Sequence, residues 1–225
     1  MHSRTKAATV WMNSPRQDRG QQTVERIRAA TEQLMAKRPF REISVAEIVR
    51  KAKASQSSFY ARFPDKDALL GFIYERHNAS QSEMIDELLA VDRWRDVPLA
   101  KTIRETFPAI VESYRESQGL VRAFLDLASS DERFRRTWAE TGDYVVVRVK
   151  EIVLARTFEV EHPDPSSGID YMLDFVFANI AYDILTHEID APKMDAKVEQ
   201  LIQMMLRFMG IKDVVKPARG SMRGK

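Results

Sequence analysis

Two helix caps set eleven residues apart constrain this chain more than any other feature. Ser44-Val45-Ala46-Glu47 has the form of a capping box, in which the serine hydroxyl accepts a first-turn N–H and the glutamate reaches back to the serine N–H. It opens a short helix, Val45 to Ala52, with Val45, Ile48 and Val49 as its inward face. Lys53-Ala54 is a tight connection, and Ser55 suits the cap of a further helix running to Phe63. A helix also precedes the pair. From Thr23 onward Val24, Ile27, Leu34 and Met35 share one stripe, Thr31 adds a methyl group, and Arg38-Pro39 ends the run because the residue before a proline is pushed out of the helical region. Three short helices within about forty residues, the last two joined by three or four, make a helix-turn-helix.

The rest of the chain also reads as helix. Asp65 caps a fourth helix that carries Leu69, Phe72, Ile73, Met84, Ile85, Leu88 and Leu89 and continues to about Ala90. Pro98 suits a first helical turn; Ile103, Phe107, Ile110, Val111 and Tyr114 form the stripe behind it, and Pro108 within that stripe predicts a kink. Leu120 to Ala128 follows Gly119. The run from about Asp131 to Phe158 has strand-like residues at Tyr144 to Val149, but its apolar positions recur at helical spacing. His162 to Gly168 reads as a loop. After it come two apolar helices, Ile169 to about Leu185 and Met194 to Met209. The first is apolar nearly all round and must be covered on both sides, which predicts a two-fold dimer with a four-helix interface. Phe177, Ile180, Ala181, Ile184, Leu201, Met205 and Phe208 are the expected interface residues. The fold class is therefore all-α, with about nine helices.

Charge divides the chain. Residues 1 to 70 hold 14 Lys/Arg against 7 Asp/Glu, residues 71 to 209 hold 16 against 25, and the last sixteen residues return to 5 against 1. The blocks carry +7, −9 and +4, which points to a polyanion partner at one end. The expected organisation is a flexible basic arm (1–20), a helix-turn-helix domain (21–70), a helical effector-binding and dimerisation domain (71–209) and a basic tail (210–225). No run of 18 apolar residues occurs, and Ala7 to Met12 is too short for a secretory core, so a cytoplasmic protein is expected. The absence of cysteine removes disulfides, thiolate nucleophiles and thiolate zinc sites.

The stretch SQSSFYARFPDK, Ser55 to Lys66, mixes polar groups with aromatics on the second helix of the pair, which in this motif lies in the major groove. Gln56 has the donor and acceptor for a bidentate contact with adenine, and Ser57 and Ser58 suit bases or phosphates. Ser58, Tyr60, Arg62 and Lys66 supply phosphate contacts, as does the helix N-terminus at Asp65.

The segment Val24 to Leu70 resembles the DNA-binding domain of the tetracycline-repressor (TetR) family of transcriptional regulators. Phe59-Tyr60-x-x-Phe63-Pro64-Asp65-Lys66-Asp67-x-Leu69-Leu70 carries the likeness, with Ile48, Ala52 and Ser55 at the expected offsets. The resemblance implies that Gln56, Ser57 and Ala61 face bases, that Ser44, Ser58, Tyr60, Arg62 and Lys66 hold phosphates, and that Phe59 and Phe63 pack onto Ile27, Ile48 and Val49. Core packing is the alternative for Tyr60. Two positions depart from the family pattern. Lys53 stands where a turn glycine is usual, so either the turn differs or Lys53 accepts a positive φ and adds a cation near the backbone; Pro39 replaces the glycine before Phe40.

The resemblance further implies a homodimeric repressor that leaves a palindromic operator when a small-molecule effector binds the C-terminal domain. Phe107, Tyr114, Phe124, Trp138, Tyr144, Tyr171 and Phe175 are the candidate pocket residues. The acidic body would favour a cationic ligand or merely keep that part of the chain off DNA. The competing readings are an architectural DNA-binding protein and an all-α enzyme. The chain lacks a glycine-rich phosphate loop, a nucleophile elbow and HExxH, and its four histidines are scattered. Asp183 with His187, or Glu159 with His162, is too sparse for a metal site. The expectation is no cofactor, no metal, no membrane partner and no enzymatic activity.

Overall fold

A computed structural model of the chain describes Trp11 and residues 18–186 and 191–213. These form ten α-helices: α1 Asp18–Met35, α2 Val45–Lys51, α3 Gln56–Tyr60, α4 Lys66–Leu88, α5 Val91–Trp94, α6 Leu99–Glu116, α7 Gln118–Ala128, α8 Glu132–Leu154, α9 Pro165–Thr186 and α10 Ala191–Met209. Short 3-10 turns occur at Phe40–Glu42 and Thr157–Glu159, and no strand is present among the described residues. The all-helical class expected from periodicity is the class observed.

The chain divides into two compact units. The first holds the described residues up to Glu83 together with Glu116–Thr141, so it extends well past the expected boundary at residue 70. Here α1 packs on α2 and α7, α2 packs on α3, and α7 meets the turn at Phe40. Ile27, Ile48, Phe59, Phe63, Leu69 and Phe72 share one buried core with Tyr74, Phe124 and Phe134. The Tyr74 and Phe124 rings stack at 3.5 Å, and Phe124 meets Phe134 edge-on at 4.9 Å. A β-carbon on Gly119 would lie 2.9 Å from the Met35 carbonyl, so this glycine allows α7 to approach the end of α1.

Trp11 is buried in the same unit, although its neighbours in sequence suggested a free arm. Its ring lies 4.7 Å from Phe134, its side chain bonds the Glu75 carboxylate, and a β-carbon on Gly71 would be only 2.3 Å away. The basic residues Arg4, Lys6 and Arg16 and the tail beyond Asp213 lie outside the described residues.

The second unit combines Met84–Arg115 with the described residues from Gly142 onward. It contains α5, α6, α9, α10 and most of α8, with α9 packed on α10. α6 runs unbroken through Pro108, which lies on its exposed face. Arg156 is buried and donates to the Trp94 and Val97 carbonyls, while Glu159 accepts the N–H of Leu99 at 2.8 Å; together they tie the end of α8 to the start of α6. Arg104 pairs with Glu199 and Asp213 at 2.9 and 2.5 Å.

The two faces of α9 reverse the expected interface. Ile180 and Ile184, with Leu201 and Met205 of α10, are buried inside the unit; Phe177 and Ala181 are half-buried, and Phe208 alone of the seven is exposed. A second stripe on α9 faces outward instead: Tyr171, Phe175, Tyr182 and Leu185 are 73%, 50%, 61% and 46% exposed, and Ala178 lies between them. The physical reason is that both faces of this helix are apolar, so hydrophobicity alone does not say which one meets the core.

Candidate functional site

The reading helix is held by its two ends and its aromatic side. At the start, the Ser55 hydroxyl oxygen accepts the Ser58 N–H at 3.0 Å and donates to Ser58 Oγ at 2.9 Å. Phe59 and Phe63 are fully buried, with ring centroids 5.6 Å apart and Phe63 5.5 Å from Phe72. α3 ends at Tyr60, and residues 61 and 62 form a turn in place of the longer helix expected. With Phe59 turned inward, Gln56, Ser57, Tyr60 and Ala61 are exposed, which leaves the core alternative for Tyr60 unfilled.

Ahead of it, α2 begins with the full capping box: Ser44 Oγ accepts the Glu47 N–H at 3.2 Å, and Glu47 accepts the Ser44 N–H at 2.9 Å. Arg38, followed by the Ser44 backbone and hydroxyl, holds the Glu47 carboxyl down at about 2. It is an anion at neutral pH, and its charge is matched by Arg38. Because the Ser44 hydroxyl also donates to Glu47 at 2.8 Å, its proton is already committed.

The turn between α2 and α3 resolves the question raised by Lys53. Its φ is +50°, and the Ala54 N–H reaches the Val49 carbonyl at 2.9 Å while the Lys53 N–H reaches Arg50 at 3.3 Å. This is a Schellman motif with lysine in the left-handed position that glycine normally fills. Arg26 holds the Lys53 carbonyl at 3.2 Å.

Two cations expected on phosphate are engaged elsewhere. Lys66 donates to the carbonyls of Phe40, Arg41 and Ile43 at 3.0, 3.3 and 3.0 Å and lies over the Phe40 ring; burial lowers its pKa. All three of its donors are spent, so its observed work is to clamp the start of α4 to the link before α2. Arg62 folds back on the Ser58 carbonyl at 2.7 Å but remains partly exposed. Asp65 caps α4 by accepting the Ala68 N–H at 2.6 Å.

A separate feature lies wholly within the second unit. A cavity of about 60 Å3 lies among α6, α8, α9 and α10. Ile103, Phe107 and Ile110 line it from α6, Val145 and Val149 from α8, Met172 and Val176 from α9, and Met205 and Met209 from α10. Among the described residues, Thr102 and Thr106 are its only polar lining residues. Of the seven aromatic residues expected there, only Phe107 reaches it. Phe124 and Trp138 pack in the first unit, Tyr144 donates to Asp86, Tyr171 and Phe175 are exposed, and Tyr114 lies 6.3 Å from the lining residue Phe177. Aromatic bulk was the wrong signal; the lining is the aliphatic stripe that each helix turns inward.

Residues 27–71 match the profile of bacterial regulatory proteins of the tetR family. This segment is a TetR-family domain. No curated protein matches the chain in sequence. Among solved structures, a protein from Mesorhizobium loti assigned to TetR-family transcriptional regulators is similar at 15% identity and a TM-score of 0.67, over 85% of this chain and 98% of the other. A transcriptional regulator of the TerR/AcrR family from Aquifex aeolicus gives 19% identity and 0.58, over 81% and 99%. The Thermus thermophilus TetR-family repressor FadR, solved with lauroyl-CoA, gives 20% and 0.54, over 88% and 98%. At these identities the likeness is one of fold, and it covers 81% to 88% of this chain.

Within the TetR-family domain, sequence reasoning passed over Arg41, Arg50 and Lys51. All three are exposed, and Glu47, the acid that could have paired with Arg50, is occupied by Arg38 and Ser44. Exposed cations whose nearest helical acid is already engaged are the signal that would have found them. No metal-binding group of three or more His, Asp or Glu occurs among the described residues. Asp183 pairs with Lys197, while His187 lies outside the described residues.

Proposed function

We propose that the chain is a dimeric, sequence-specific DNA-binding regulator that represses from a palindromic operator and is released when a small molecule enters the second unit. The observation that carries this reading is the exposure of Gln56, Ser57, Tyr60 and Ala61 on a helix immobilised by fully buried Phe59 and Phe63. Base readout needs polar groups held in a fixed register, and this arrangement supplies it. The two-fold symmetry comes from the outward stripe of α9, a contiguous apolar face whose natural cover is its own copy. The cavity among α6, α8, α9 and α10 is the effector site, and the lauroyl-CoA held by the FadR structure supports a ligand role for a body of this fold. The basic end meets DNA, and the acidic body is kept from it.

Selection of bound duplexes from random DNA tests the reading. Inverted repeats with half-sites about one helical turn apart, or a multiple of it, are the expected product. In the Gln56→Ala variant, discrimination should relax at one base pair per half-site with the rest of the site unchanged. Equal affinity for operator and random duplex would instead make this an architectural DNA-binding protein.

A further inference from the structure

The lining of the cavity defines the chemistry of its occupant more sharply than the existence of a cavity does. We infer that the effector is a neutral, largely aliphatic molecule with a single hydrogen-bond donor, such as a medium-chain alcohol; this rests on the effector reading above.

Charge is excluded first. Among the described residues the lining consists of aliphatic, thioether and aromatic side chains plus two threonines, with no carboxylate, ammonium or guanidinium. A charged ligand would lose its hydration with no countercharge to replace it, which disfavours it by orders of magnitude. The net −9 of residues 71 to 209 therefore does not translate into a cation site at the cavity. Arg156 donates to the lining residue Thr102, 3.5 Å from its Oγ1, but it is engaged by the Trp94 and Val97 carbonyls.

The polar end follows from where the threonine protons go. Thr102 donates to the Pro98 carbonyl at 3.2 Å and also receives Arg156. Thr106 donates to the Thr102 carbonyl at 2.8 Å. With its proton spent on its own helix, the Thr106 hydroxyl retains only lone pairs, so any hydrogen bond it makes to an occupant is one that it accepts. A hydroxyl suits it; a ketone, ether or carboxylate does not. Size sets the chain length. At roughly 10–15 Å3 for each water-sized position, the cavity of about 60 Å3 holds a short file of about four to six such positions. Unbranched Met172, Met205 and Met209 let the walls adapt to a somewhat longer chain.

The test uses the full-length protein and four probes: 1-octanol, heptyl methyl ether, octanoate and octyltrimethylammonium. 1-Octanol at a hundredfold over its Kd should raise Tm by roughly 5 °C or more. The ether should bind about five- to tenfold more weakly, and the two ions should give no shift. Thr106→Val should erase the preference for alcohol over ether while still binding both, a readout that loss of stability alone does not mimic. Ile110→Trp, which fills the cavity, should abolish binding of every probe; its folded state is checked by circular dichroism. Octanoate or octyltrimethylammonium matching 1-octanol would overturn the inference, as would no shift with any probe. The two readings fail separately. If the operator is bound but no probe shifts Tm, the ligand class falls alone; if the probes rank as expected but none weakens operator binding, the effector reading falls alone.

Discussion

At the scale of single residues, one lysine of the DNA-binding head leaves the part that its sequence position suggested, and another is placed to take it. Lys66 sits in the motif that carries the family likeness, yet its ammonium is consumed by three carbonyls. Lys53 sits where the pattern breaks, and its exposed side chain has no ion pair or hydrogen bond among the described residues. The left-handed conformation costs a non-glycine residue about 1 kcal/mol, and α10 ends in the same Schellman motif with Gly210 at φ +65°. A lysine held at that cost beside the reading helix is explained if it meets a phosphate. Lys53→Gly should therefore stabilise the fold by about 1 kcal/mol or less while reducing the salt slope of DNA binding by about one unit per head. Lys66→Met should do the opposite, lowering stability by about 1–3 kcal/mol with the slope unchanged. Denaturation and affinity measured against salt read both arms, and an unchanged slope in Lys53→Gly would remove that lysine from the interface. Such exchanges are hidden in a sequence because a cation's type says nothing about which acceptor reaches it first.

Elements whose ends are encoded by local chemistry were legible; those defined by what covers them were not. The starts of α2 and α4 follow from Ser44, Glu47 and Asp65, whose capping bonds need only residues within the same turn. The start of α1 was placed too late because Asp18 to Gln22 contains no apolar residue to mark a period. The Pro165-Ser-Ser-Gly168 segment resembled a loop, but Asp164 accepts the Ser167 N–H at 3.1 Å and proline is at home in a first helical turn, so α9 begins there. α9 also shows the deeper limit, since a helix apolar on both sides tells where burial happens and not against what. Its outward stripe now makes the claim testable. Phe175→Asp places a charge at a half-exposed position, so the monomer should fold with its helicity intact and the dimer should dissociate. Sedimentation at micromolar concentration distinguishes the outcomes; a variant that stays dimeric would move the interface elsewhere, with exposed Phe208 on α10 the next residue to change.

At the scale of the molecule, the proposed function assigns DNA to the basic N-terminal part and the ligand to the acidic remainder, where the cavity lies entirely among second-unit residues. Coupling between two such sites does not require a visible path. It requires that the ligand bind two states of the protein with different affinity, and it is then reciprocal by thermodynamic necessity. If 1-octanol lowers operator affinity tenfold, the operator complex must bind 1-octanol tenfold more weakly than the free dimer does. Calorimetric titration of the ligand into free protein and into the operator complex measures this directly. Equal ligand affinity in both, alongside a real loss of DNA binding, would mean that the loss does not come through the titrated site. Equal factors would tie the loss of DNA binding to the titrated site, and Ile110→Trp, with its cavity filled, should then bind operator with an affinity that 1-octanol no longer changes.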